Sequence, residues 1–171
     1  MNYIITNDKG IIGYKAFNEG LLNIHNVKFE IGKEYVVENK YKDYKFHFCK
    51  NIEDTLIYYR KNNIEICKVL GYGDITNYYN DYYGVYDIYA SSKIKILHKL
   101  SREEIINLIL NISSYSIDRI VRFISLFKLS NEEIELFNNN YNNCEDIIDA
   151  IKYYQCNDKK VYERKYNIKR Y

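Results

Sequence analysis

Apolar and polar residues alternate through the first hundred positions, and a longer period replaces the alternation after Leu100. Period two marks strands, because successive side chains of an extended chain point to opposite faces. Residues 3–6 and 12–17 read as strands flanking Asn7-Asp8-Lys9-Gly10, a turn-rich tetrad that predicts a hairpin. Residues 33–38 predict a third strand. In 44–49 the alternation is strict, with Tyr44, Phe46 and Phe48 on one face and Lys45, His47 and Cys49 on the other. A short helix is expected next, with Asn51 as cap, Asp54 at its third position and Ile52, Leu56 and Ile57 setting the period. Residues 65–70 and 93–98 are strong strands, and 85–90 suggest a further one. Gly71-Tyr72-Gly73 lacks the third Gly, the Lys and the following helix of a phosphate loop, and reads as a strand end or bulge.

From Ser101 the apolar spacing becomes helical. Ser101-Arg102-Glu103-Glu104 is a capping box, in which hydroxyl and carboxylate satisfy otherwise unpaired amides, and Ser130-Asn131-Glu132-Glu133 repeats it. Ile117, Ile120, Val121, Ile124 and Phe127 form one helical stripe, and Ile147, Ile148, Ile151 and Tyr154 another. Four short helices are expected in 101–155, with residues 138–143 as a polar loop. The fold class is therefore α+β: an N-terminal antiparallel sheet with one helix, then about four short helices. Its expected divisions are a β-rich domain at 1–100, a helical segment packed on it at 101–157, and a basic tail at 158–171.

Composition narrows the setting. The chain has 171 residues, enough for one domain or two very small ones, with a core that needs no metal or disulfide. No stretch approaches the ~20 apolar residues of a membrane span, and the first residues lack a secretory pattern. A soluble cytoplasmic protein in a bacterial host cell is the expectation, with Cys49, Cys67, Cys144 and Cys156 reduced and acting as small apolar residues. Abundant Ile, Asn, Lys and Tyr with no Pro or Trp is the signature of an AT-rich genome. The 21 Tyr are partly that bias, but the run at 78–86 exceeds it. Tyr78, Tyr79, Tyr82, Tyr83 and Tyr86 are thus expected on an exposed recognition loop, where Tyr gives contact area at low entropic cost.

Net charge is +2, unevenly spread. The tail carries Lys159, Lys160, Arg164, Lys165, Lys169 and Arg170 against Asp158 and Glu163, so it can contact RNA phosphates while its tyrosines stack on bases. Without it, 19 basic and 21 acidic groups remain, which does not describe a dedicated nucleic-acid binder.

Little catalytic chemistry is available. His47, Cys49, Cys67 and His98 are ligand types zinc accepts, but they lack the close pairing of structural sites, so no metal or cofactor is assigned. A Cys49 nucleophile with His47 as base lacks a third, orienting group. His47 with Tyr58 or Tyr59 offers two of the three elements of an ADP-ribosyltransferase-like NAD site, without a convincing catalytic Glu.

Five pieces in order resemble a known family. They are Gly13-Tyr14-Lys15-Ala16-Phe17-Asn18, then residues 29–35, then Phe46-His47-Phe48-Cys49-Lys50-Asn51 with Tyr58-Tyr59, then Val69-Leu70-Gly71, and finally 93–97 before Ser101. Over about residues 10–110 the chain resembles a small α+β domain of unknown function found in bacteriophage and prophage proteins, often preceding pentapeptide-like repeats. The family's usual Cys-x-x-Gly-Phe-His differs here: Tyr41 or Lys42 stands near the Cys position and Lys45 at the Gly position. Helices and a basic tail replace the repeats. The resemblance implies a non-enzymatic phage or mobile-element accessory protein. Such a protein would bind and modulate a host protein or ribonucleoprotein complex, as an inhibitor of bacterial antiviral defence does, in the manner of an anti-CRISPR. His47 and the Tyr cluster are its expected contact residues. An NAD-using ADP-ribosyltransferase-like enzyme on the N-terminal sheet is the alternative.

Overall fold

The computed structural model describes residues 3–6, 10–37, 45–58, 64–79, 87–112 and 117–155. Within them the alternating half forms six strands: β1 Tyr3–Thr6, β2 Ile11–Asn18, β3 Glu34–Val36, β4 Phe46–Cys49, β5 Ile64–Tyr79 and β6 Asp87–Lys99. A 3-10 helix, Ile52–Tyr58, stands between β4 and β5. Four helices follow: α1 Arg102–Leu110, α2 Ile117–Leu126, α3 Asn131–Asn140 and α4 Glu145–Gln155. The chain is α+β, and it divides into two compact units between Ile105 and Ile106.

All strand pairings in the first unit are antiparallel, and the sheet curls into a barrel-like closure because β5 pairs with β2, β2 with β4, β4 with β6, and β6 again with β5. The closing link is narrow, a single Tyr14 to Cys49 pairing. Two glycines permit it. A Cβ on Gly13 would stand 2.4 Å from the Cys49 carbonyl oxygen, and one on Gly71 would stand 2.2 Å from the Phe48 ring. Phe48 can therefore enter the barrel and lie fully buried with Phe17, Cys67, Val69, Ile94 and Ile96. Burying such a side chain contributes roughly 1.5–3 kcal/mol.

The sheet corrects several expectations. β1 and β2 do not form a hairpin with each other; both align along β5, at residues 74–77 and 64–71 respectively. The expected strand at 65–70 is part of one long β5 that runs on to Tyr79, and its register shifts between Tyr72 and Ile75, so Gly71-Tyr72-Gly73 marks a bulge inside a strand. Bulges increase twist without ending pairing, which is how one strand serves two neighbours on the same edge. Residues 85–90 and 93–98 likewise belong to one strand, β6, from Asp87 onward. Tyr78 and Tyr79 are the last two residues of β5, paired with Ile88 and Asp87, rather than members of a loop. The strand extends because pairing continues on both edges past the bulge, Ile75 to Ser91 of β6 and to Ile5 of β1.

The 3-10 helix is fixed from inside. Asp54 is fully buried, and its Oδ2 accepts hydrogen bonds from the Asn51 side-chain amide and the Asp87 backbone amide, both at 3.3 Å. Asn51 was expected to cap the helix through its own oxygen; its amide instead donates to the carboxylate three residues on.

In the second unit α2 packs on α4. Phe123 stacks on Phe127 with ring centroids 4.5 Å apart and on Phe137 at 6.3 Å, while Ile120, Ile124, Ile147 and Ile151 complete the interior. The capping box at Ser130 closes in both directions, Glu133 N donating to the Ser130 hydroxyl and Ser130 N to the Glu133 carboxylate. The expected polar loop at 138–143 is shorter than the composition suggested. Helix α3 continues to Asn140, where Asn140 Nδ2 donates to the Leu110 carbonyl and the Tyr141 hydroxyl to the Ile109 carbonyl, which also accepts from Ile112 N, so the end of α3 is tied to the end of α1. Among the described residues, no helix is long and apolar enough to cross a membrane.

Candidate functional site

Strand parity identifies the first unusual residue. Ile11, Gly13, Lys15 and Phe17 share one face of β2, and Phe17 is completely buried. An amine on that face is directed toward the interior. Lys15 Nζ lies 5.7 Å from the Phe17 ring centroid and donates a 2.6 Å hydrogen bond to the His47 carbonyl oxygen. Desolvation lowers its pKa to about 8, and the nearby Cys49 opposes that shift. Among the described residues no carboxylate pairs with it.

Lys15 lines a cavity of about 510 Å³, within the usual size range of small-molecule sites. Tyr14 and Ala16 of β2, residues 45–49 around β4, Phe29, and the Asn23–His25 segment of the β2–β3 connection enclose it. Lys45 is the second cation of the wall, and its Nζ donates to the buried Thr76 hydroxyl at 2.8 Å. His47 stands at the opening, exposed, its pKa lowered by desolvation and then by Lys15. Phe29 meets Phe46 edge to face at 6.2 Å, giving an aromatic wall. Among the described residues, no carboxylate lines the cavity.

Ile24 and His25, which line this cavity, belong to the connection that runs from Asn18 to Lys33. It is heavily tied. The Asn23 carboxamide oxygen accepts from His25 N and Val27 N, both at 2.9 Å, and Phe29 N donates to the Leu21 carbonyl. Leu21 and Asn26 are held at φ 58° and 60°, a conformation that costs a bulky residue energy unless its surroundings enforce it. The Glu65 carboxylate enforces it, accepting from Leu21 N at 2.8 Å while Lys99 grips its other oxygen at 2.5 Å. On this tied frame Ile24, Val27 and Ile31 stand 60%, 51% and 53% exposed.

A family model described as Domain of unknown function (DUF7666) matches residues 11–108. The chain belongs to that family. The match covers β2 through most of α1, so the DUF7666 domain contains the whole cavity and the tied connection. Comparison with curated proteins and with solved structures gave no match.

Of the chemistry-bearing residues singled out by sequence, His47 and Cys49 line the DUF7666 cavity. Tyr78 and Tyr79 are the last residues of β5, while Tyr82, Tyr83, Tyr86 and the tail residues Lys159, Lys160, Arg164, Lys165, Lys169 and Arg170 lie outside the described residues. The possible zinc ligands are not gathered: among the described residues no three metal-binding side chains cluster. His98 is engaged by the Glu104 carboxylate at 3.0 Å, and Cys67 sits in the barrel core, where burial pushes its thiol up to about 12 and keeps it protonated. Cys49 is also buried. Sequence reading missed Lys15, Lys45 and the exposed apolar residues of the connection. For Lys15 the signal was present, a cation in phase with Phe17 on a strand.

Proposed function

We propose that this protein is a non-enzymatic accessory protein of a phage or mobile element that acts by binding a host macromolecule, with inhibition of antiviral defence as its specific role. The observation that carries the binding reading is the tied connection between β2 and β3. Three large aliphatic side chains, Ile24, Val27 and Ile31, are exposed on a backbone whose conformation is already fixed by hydrogen bonds. Ordering before contact lowers the entropic cost of association, and large apolar side chains left exposed on one ordered segment suit contact with a protein partner. A host protein is therefore the partner this surface suits. The mobile-element setting rests on the AT-rich composition and the ordered sequence pieces, not on the site.

The transferase alternative finds less support. The cavity holds His47 and Tyr14, but among the described residues no Glu lines it to stabilise an oxocarbenium-like centre.

The test is capture from a bacterial host lysate by the wild-type chain and by an Ile24→Asp/Val27→Asp double variant. A protein retained by the wild type and lost by an equally folded variant is the expected result. Equal capture by both, or a rise in melting temperature on adding NAD with release of nicotinamide, overturns the reading.

A further inference from the structure

The DUF7666 cavity carries a second inference, and it shares Ile24 with the proposed partner surface. We propose that it binds a small organic anion with a flat aromatic body, the anionic group meeting Lys15 and the ring lying against Phe29 and Phe46.

Three features point to this chemistry. The cavity has the volume of a small-molecule site, about 510 Å³, room for a body of two or three aromatic rings. Among the described residues its wall holds two lysines and no carboxylate, so an anion would meet net positive charge there. Lys15 in particular is a half-buried ammonium whose contacts are a carbonyl oxygen and a phenyl face, leaving N–H capacity unused and charge uncompensated. A cation in that state costs folding energy, and a bound anion would offset the cost. Phe29 and Phe46, set edge to face, supply an apolar surface for a planar ring.

The depressed Lys15 pKa adds a dependence on pH. The titratable groups that line the cavity with Lys15 are His47 and Cys49 of β4, Lys45 before it, His25 of the connection and Tyr14 beside it on β2, and the Glu53 carboxylate of the 3-10 helix packed on β2 acts on Tyr14. Of these, His47 is neutral near pH 7 and above because its pKa is lowered. Affinity for a permanently ionised ligand is thus expected to fall as Lys15 loses its proton, between about pH 7 and pH 9.

The probe is 1-anilinonaphthalene-8-sulfonate, an aromatic anion, compared with its uncharged counterpart N-phenyl-1-naphthylamine. Fluorescence titration of the full chain is expected to show one sulfonate site. Binding of the uncharged probe should be weaker by about tenfold or more, the scale of one charge-assisted hydrogen bond. Lys15→Met keeps the side-chain length and removes the charge. It should abolish that preference, leave the uncharged probe's affinity unchanged, and leave the melting temperature unchanged or higher. If Lys15→Met does not fold, Lys45→Met and the wild-type titration from pH 7 to pH 9 replace it, each with the same expected loss of sulfonate affinity. Equal binding of the two probes, a preference that survives the variant, or affinity that is flat with pH overturns the proposal.

Discussion

Lys15 shows how a single position carries two kinds of information. By type it is a surface residue; by parity it faces the same way as Phe17, which is completely buried. The parity decides, and it was readable from Ile11, Gly13, Lys15 and Phe17 alone. What was not readable is which carbonyl it would meet, since His47 is brought to it by a pairing 35 residues apart in sequence, Tyr14 to Cys49. Gly13 is the residue on which that closure depends. Replacing it with Ala places a methyl group 2.4 Å from a backbone oxygen that cannot move without shifting β4. Gly13→Ala should therefore destabilise the protein by about 1–3 kcal/mol, the usual range for overpacking. Urea denaturation measures this, and an unchanged midpoint would show that the barrel tolerates opening at this seam.

Elements were legible where local pattern and tertiary partner agreed. Both capping boxes form, Ser101 N donating to the Glu104 carboxylate at 2.7 Å as its sequence spacing requires. The strands were legible as strands but not in their lengths, because a bulge at 72–75 interrupts the alternation without interrupting the pairing. The β2–β3 connection was not legible at all. Its order comes from Glu65, more than forty residues away, whose carboxylate holds Leu21 N. Burial raises the pKa of that carboxyl, but the Lys99 ammonium and the Leu21 amide outweigh it and leave the pKa below its ordinary value. A depressed carboxyl stabilises the fold above its unfolded pKa, about 4.3, and loses that contribution as pH falls through the folded value. The melting-temperature difference between wild type and Glu65→Gln should accordingly be largest near neutral pH and shrink below about pH 4. A difference that stays constant on acidification would mean that Glu65 acts through packing rather than charge.

At the scale of the whole molecule, the sequence changes hydrophobic period at Leu100 and the structure divides between Ile105 and Ile106, within α1. Each unit has its own aromatic interior. The first gathers Phe17, Phe29 and Phe48 inside the barrel, and the second stacks Phe123 with Phe127 and Phe137 among helices. The family match at 11–108 covers the first unit's cavity and ends before α2, so the helical interior is an addition to the matched domain. Separate interiors imply separable stability, because a cavity opened in one core removes contacts only from its own neighbours. Truncating Phe123 to Ala should cost about 3–5 kcal/mol locally. Amide hydrogen exchange should then accelerate in α2 and α4, while the β5–β6 ladder keeps its wild-type protection. The Phe48→Ala variant should show the reverse, with β4, β5 and β6 opening and the helical amides unchanged. Acceleration of both sets of amides by either variant would mean that the two interiors unfold as one cooperative structure, and that the change of period at Leu100 marks a change of architecture within a single folding unit.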